Sequence, residues 1–210
     1  MKEALSKNMN LVSRHLLNGF GGMGEGISIQ ITNDGRRILW MAHVSAPKNF
    51  SAVDVSDLKN PRLICQTDLP HHNVRSNSLE VCGDRMAVAY QTNKLGEQPA
   101  GIEMFDISMP DEPKSIGFFD TSGPKSKGVH QVWDVVGEFI HCAGAVAKFD
   151  ARWPEIDYQF YQIIDARDPS SMREVGRWWM PGQCENDIAP PMMREPKYDV
   201  GFRPHNTNVY

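Results

Sequence analysis

The sequence predicts an all-β protein built from tandem four-stranded antiparallel units. First, 14 prolines and 17 glycines are spread between short apolar runs along 210 residues, which is typical of strands and turns. Second, an apolar motif that ends in aspartate occurs three times, at Asp54, Asp106 and Asp165. Third, a glycine turn lies upstream of each copy. Spacings of 52 residues (106 minus 54) and 59 residues (165 minus 106) indicate repeats with loop insertions.

The motif continues on both sides of the aspartate. Its three copies read Ala52-Val53-Asp54-Val55-Ser56, Met104-Phe105-Asp106-Ile107-Ser108 and Ile163-Ile164-Asp165-Ala166-Arg167. Seven residues after the aspartate stand Pro61, Pro113 and, as a departure, Met172. The next position is basic in every copy, and the position two further on is β-branched (Arg62, Lys114 and Arg173; Ile64, Ile116 and Val175). Agreement at several spaced positions indicates one structural unit.

Two further strand-like runs precede each aspartate, one on either side of the glycine turn. With the strand that ends in aspartate and an outer strand after it, each repeat supplies four strands. Such units in tandem form the blades of a β-propeller, because each sheet covers its apolar faces with its neighbours. The prediction is an incomplete β-propeller of four-stranded antiparallel blades, with about three blades plus one strand.

The predicted blades cover about residues 25–69, 70–120 and 128–180, and the first strand of a fourth covers 203–210. Residues 1–24 form an N-terminal segment that could hold a short helix, because a loose amphipathic pattern there ends at Gly19.

The repeat resembles the LVIVD repeat, which is named for the strand that ends in the aspartate. The resemblance rests on the pattern apolar-apolar-Asp-Val/Ile-Ser followed by proline, and it covers about residues 25–180 plus the segment 203–210. It implies a propeller and does not supply a substrate.

The repeated aspartates are predicted to hold turns. In the first two copies Ser56 and Ser108 follow two residues later, a spacing that suits an Asx-type turn. The residues just before the aspartates, Val53, Phe105 and Ile164, are expected to be buried between blades. A closed propeller needs about four to eight blades. The chain is therefore expected to be a fragment of a longer protein, or to self-associate through its open blade face.

Composition narrows the partner classes. A net charge of -4 without a basic cluster argues against nucleic acid as a partner. Neither a signal peptide nor an apolar run of about 20 residues is present, so the expectation is a cytoplasmic protein with no membrane partner. The four cysteines show no C-x-x-C spacing and suit small core residues.

Histidines stand where blades begin. His130 and His205 align with one another near the starts of inner strands, and His72, with His71 as the alternate, lies in the loop before the second blade. Inner strands line the propeller axis, so His72, His130 and His205 could converge on one mouth of the channel and bind a transition metal such as copper, iron, manganese or zinc. The open alternative is that these rings only hydrogen-bond neighbouring strands or face solvent.

Polar residues accompany these histidines as candidate substrate contacts. Arg75 suits an anionic ligand, because its planar guanidinium pairs bidentately with a carboxylate. Asn73 and Asn206 could orient a polar substrate. A loop of about 25 residues, 179–203, is expected to border the same mouth, because a connection of that length is more often a binding loop than a spacer.

Two function classes follow from these features. One is a metal-dependent oxidoreductase or hydrolase that acts on a small molecule at the channel mouth. The other is a non-catalytic propeller that binds a small molecule or a protein. No nucleophile elbow, P-loop, dinucleotide fingerprint or H-E-x-x-H motif is present in the sequence.

Overall fold

The computed structural model describes residues 7–20, 22–146, 148–190, 193, 195 and 201–205. Three antiparallel sheets follow one another along the chain. The first contains β1 (Met23–Ile31), β2 (Arg37–His43), β3 (Lys48–Asp54) and β4 (Arg62–Asp68). The second contains β5 (Val74–Arg75), β6 (Leu79–Cys82), β7 (Arg85–Thr92), β8 (Gly101–Asp106) and β9 (Lys114–Asp120). The third contains β10 (Val129–Val135), β11 (Phe139–Gly144), β12 (Phe160–Asp165) and β13 (Arg173–Trp178).

In the first and third sheets each strand pairs with its sequence neighbours. In the second sheet β5 and β6 share the inner position, since both pair with β7. The predicted fold, an incomplete propeller of four-stranded blades, is confirmed. The glycine turns are also where the sequence places them, because Gly35, Gly83 and Gly137 adopt positive φ values of 84°, 59° and 73° between the first two long strands of each blade.

The repeated aspartates hold the turns that follow their strands, as predicted. Backbone N–H groups two residues on donate to Asp54 (from Ser56, 2.9 Å), Asp106 (from Ser108, 2.8 Å) and Asp165 (from Arg167, 3.3 Å). The guanidinium groups of Arg167 and Arg173 also lie 2.8 and 3.1 Å from Asp165. The hydrogen bond from the Arg167 side chain, with these charges, holds the pKa of Asp165 well below its usual range.

Apolar side chains fill the interfaces between consecutive blades. Between the first and second blades Phe105 lies edge-to-face on Phe50, with ring centroids 5.1 Å apart, in a cluster that includes Trp40 and Met86. Between the second and third blades Ile164 packs in a cluster with Ile102, Met104 and Ile140. Phe105 and Ile164 are therefore buried between blades, as predicted.

Val53 is buried in a different way. It packs with Met41 and with Leu17 of the N-terminal segment instead of with another blade, because that segment lies on this part of the first sheet. The segment contains a 3₁₀ turn at Leu17–Gly19. The expectation that Val53 faces a neighbouring blade is wrong for this chain as described.

The first blade also presents an apolar row to solvent. Ile27, Ile29 and Ile31 alternate along β1 on one face and are 50%, 53% and 74% exposed. Self-association through an open blade face stays a prediction.

Among the described residues, no helix is long and apolar enough to cross a membrane. The predicted fourth-blade strand lies mostly outside the described residues, which include 203–205 but not 206–210.

Candidate functional site at the channel mouth

The first residues of the inner strands meet at one end of the propeller. Glu25 lies in β1, Arg75 in β5 and His130 in β10, and His205 follows the third blade. These four residues line one cavity of about 360 Å³. Each of the four therefore comes from a different predicted blade or blade start.

Two glycines allow β1 to approach the second blade. A Cβ at Gly24 would meet the Asn77 carbonyl oxygen, and one at Gly26 would collide with the backbone nitrogen of Leu79. The backbone N–H of Glu25, between the glycines, donates to the Asn77 carbonyl at 2.8 Å. This contact fixes Glu25 beside the inner strand of the second blade.

A third glycine brings the third blade to the same place. Gly128 has a φ of 84°, and a Cβ there would collide with the carbonyl oxygen of Tyr90. Gly128 forms a β-bridge with Gln91 at the end of β7. His130, two residues on, is thereby held against the second blade.

Glu25, His130 and His205 bring one ligand-type atom each to a common point. The Nε2 atoms of His130 and His205 are 3.2 Å apart. Oε2 of Glu25 lies 3.7 Å from Nε2 of His130 and 3.3 Å from Nε2 of His205. Within the part of the chain that the structure describes, this is the one group of three His, Cys, Asp or Glu side chains with metal-ligand spacing.

Gln91 sets the tautomer of His130. Nε and Nη2 of Arg75 donate to Oε1 of Gln91 at 3.0 and 2.5 Å, so this atom is the amide oxygen. Nδ1 of His130 lies 3.0 Å from the same oxygen and therefore donates to it. In the neutral ring the lone pair is then on Nε2, the atom that faces Glu25 and His205.

Burial keeps the His130 ring neutral. It is the largest cause that lowers the pKa of His130 to about 4, against the opposing effect of the Glu25 carboxylate. The charges of neighbouring cationic groups lower it further. At neutral pH His130 consequently offers an unprotonated Nε2 to the cavity.

Cationic and phenolic groups form another wall of the cavity. The Arg203 guanidinium carbon lies 5.6 Å from the centroid of the Tyr158 ring, and Arg203 Nη1 is 3.4 Å from the Tyr158 hydroxyl. Nε2 of Gln91 donates to the same hydroxyl at 3.1 Å. The Tyr158 oxygen therefore accepts two hydrogen bonds, and its own proton can be donated elsewhere.

The structure separates the predicted histidines into two sets. His130 and His205 lie together, whereas the three-residue group does not include His72, which is exposed in the loop before β5. Glu25 takes the third position instead. Both ring nitrogens of His71 have partners in or near its own loop. Nδ1 accepts a hydrogen bond from the backbone N–H of Asn73, and Nε2 contacts the carbonyl oxygen of Gln98.

Of the three residues predicted to contact a substrate, one lines the cavity. Arg75 lines the cavity. Asn73 does not line it, and its amide donates to Glu97 Oε1 at 2.8 Å. Asn206 lies outside the described residues.

The long loop reaches the site at its end. Gly201, Arg203 and Pro204 line the cavity, and the backbone N–H of Phe202 donates to Asp157 at 2.8 Å. The loop predicted over 179–203 thus borders the mouth in its described final residues. Residues 191, 192, 194 and 196–200 lie outside the described part.

Three site residues escaped the sequence-based prediction. The position of Glu25 could have been found from the repeat. Glu25 stands two residues before Ile27 in the first inner strand, just as His130 stands two residues before Val132 in the third. Gln91 is the second-last residue of β7, and Tyr158 lies in the long connection between β11 and β12. The 59-residue spacing between Asp106 and Asp165 signalled an insertion but not which of its side chains turns inward.

Comparisons with known proteins do not identify a family for this chain. No family model matches the chain, and no characterised protein matches it in sequence. The chain is similar in structure to an α-L-arabinofuranosidase from Fusarium graminearum, with 10% identity, a TM-score of 0.47 and coverage of 73% of this chain and 48% of that one. It is also similar to the GH32 β-fructofuranosidase of Bombyx mori, with 10% identity, a TM-score of 0.47 and coverage of 80% and 37%. The chain spans less than half the length of either structure.

Proposed function

We propose that this chain is a propeller of the LVIVD type with a metal-dependent hydrolytic centre at its channel mouth. Glu25, His130 and His205 would hold the ion. The observation that carries the proposal is the spacing of their three ligand atoms, 3.2, 3.3 and 3.7 Å apart. Two histidines and one carboxylate with an open fourth position are a common catalytic zinc set.

Among copper, iron, manganese and zinc we propose zinc, because two imidazoles and one carboxylate with an open position are a donor set of catalytic zinc.

The Glu25 carboxylate lies 3.7 and 3.3 Å from Nε2 of His130 and His205, so a bound cation would have an anionic ligand beside the two imidazoles.

The surrounding residues would keep this geometry during catalysis. Gln91 holds His130 through Nδ1, the kind of outer hydrogen bond that orients a metal-binding imidazole. Zinc would supply the Lewis acidity that activates water for hydrolysis. Tyr158 can donate a hydrogen bond to a bound substrate. The reaction we propose is hydrolysis of a small molecule held in the cavity.

The experiment is titration calorimetry of the chelator-treated chain with zinc chloride. We expect one zinc ion per chain, and about 100-fold weaker binding in His130→Gln and Glu25→Gln, because each loses a ligand. His72→Gln is the matched control and should bind like the wild type. Equal binding by the wild type and His130→Gln, or loss of binding in His72→Gln alone, would contradict the proposal.

A further inference from the structure

Arg75 and Arg203 bring two guanidinium groups to the cavity that contains the proposed metal ligands. Within the described residues, the hydrogen-bond partner of the Arg75 guanidinium is the neutral amide oxygen of Gln91, and no carboxylate pairs with Arg75. A guanidinium that is partly buried without a counter-ion is costly, so a negative ligand beside it would be stabilised.

The donors in the cavity are matched to an oxyanion. Arg75 and Arg203 present N–H groups, and the Tyr158 hydroxyl already accepts from Gln91 and Arg203, which leaves its proton for a ligand. Guanidinium groups bind carboxylates and phosphates through paired, charge-assisted hydrogen bonds. Glu25 is the one acidic side chain among the described residues that line the cavity, and its carboxylate would be bound to the proposed metal ion.

The cavity size sets the class of molecule. A volume of about 360 Å³ is near the lower end of ligand-binding pockets, which span about 300 to 1,000 Å³. A single small molecule fits, whereas a folded protein surface does not enter a space of this size.

We infer that the ligand of this cavity is a small organic oxyanion whose carboxylate or phosphate group is bound by Arg75, Arg203 and Tyr158. The inference rests on the proposed function in one respect: it places the anion next to the proposed zinc ion. The binding groups themselves belong to other residues, so the two claims can be tested separately.

The test measures binding of three probes to the full chain by titration calorimetry, with and without zinc. Benzoate and phenyl phosphate are the anionic probes, and benzamide is the neutral match for benzoate. We expect at least one anion to bind ten or more times more tightly than benzamide, because a charge-assisted hydrogen bond contributes more than a neutral one. The anion that binds identifies the head group.

Variants assign that binding to residues. Arg75→Gln and Arg203→Gln should each weaken the anion about tenfold or more, whereas Tyr158→Phe should weaken it less. The control is Arg37→Gln, because Arg37 lies at the opposite end of the β1–β2 hairpin and donates to the Ser56 carbonyl. Circular dichroism checks that each variant is folded. If Arg203→Gln does not fold, Arg203→Lys replaces it in the binding measurement.

The outcomes separate the two claims. Zinc binding without preference for either anion over benzamide would overturn this inference and leave the metal centre standing. Anion binding that depends on Arg75 and Arg203 but occurs without any zinc affinity would support this inference and overturn the metal centre. Anion binding that is unchanged in both arginine variants would also overturn the inference.

Discussion

The repeated aspartates and the mouth residues are both polar groups at strand ends, but their partners lie in different places. Asp54 bonds within its own blade, to the Ser56 backbone and to Arg62 on the next strand. Glu25 and His130 come from different blades and meet. A charged residue that recurs in every repeat therefore stabilises the blade, whereas one that changes from blade to blade can serve a ligand shared by several blades.

We expect the repeated aspartates and the mouth residues to affect different properties, namely stability and ligand binding. Variants at repeated positions should unfold more easily yet bind zinc normally while folded. Variants at the mouth should keep their stability and lose zinc.

The largest stability effect is expected for Phe105→Ala. Phe105 is 7% exposed and packs on Phe50 in the core between the first two blades, so its truncation should lower the free energy of unfolding by about 3 to 5 kcal/mol. Urea titration measures the loss. Phe118→Ala, at a position 41% exposed, is the control and should cost clearly less. A loss below about 1 kcal/mol for Phe105→Ala would show that the blade interface is wrongly assigned.

A smaller loss is expected for Asp54→Ala. This change leaves the Ser56 N–H and the Arg62 guanidinium without their acceptor, which should cost about 1 to 3 kcal/mol. Zinc binding should not change, because Asp54 lies at the opposite end of the first blade from Glu25. Asp68→Ala removes an exposed ion pair with Lys48 and should cost less than about 1 kcal/mol. Equal losses in the two variants, measured by urea titration, would refute the turn role.

The smallest expected effect concerns pH. His43 is fully buried, and burial lowers its pKa, while its ring nitrogens contact the Gly22 carbonyl and the Ser51 hydroxyl. Below the unfolded-state pKa of about 6.5 the unfolded chain binds a proton that the folded chain does not, so stability is lost as pH falls from there toward the lower folded-state pKa.

His43→Gln should therefore show a smaller fall in unfolding free energy between pH 7.5 and about pH 5 than the wild type, even though it is less stable at pH 7.5. Urea titrations at both pH values give this difference. His130 and His141, whose pKa values burial also lowers, contribute to the pH dependence that remains in this variant. An unchanged pH dependence in His43→Gln would contradict the assignment of a neutral, structural histidine.

The sequence predicts the blades well because their determinants are local. The aspartate, the turn after it and the glycine hairpin each act within a few residues, and the structure has all three where the repeat places them. The core position of Phe105 follows from its place just before the repeated aspartate. Val53 departs from the pattern because its cover is Leu17 of the N-terminal segment, which belongs to no repeat.

The site is less predictable because it depends on loops and on close approach between blades. The repeat aligned His130 with His205, and these two do meet. His72 differs because its loop is held by contacts from its neighbours His71 and Asn73 to residues 97 and 98, outside the cavity. Glu25 reaches the site because two adjacent glycines permit β1 to lie against the second blade, a contact that no local pattern reveals.

We propose that one metal ion is held jointly by the first blade, the third blade and the segment that follows the third blade. The most direct measurement is a crystal structure of the zinc-loaded chain with anomalous scattering recorded at the zinc absorption edge. The account predicts one strong peak within about 2.0 to 2.2 Å of Oε2 of Glu25 and Nε2 of His130 and His205. A peak at His71 or His72 instead, or no peak at the mouth when zinc is in excess, would contradict it.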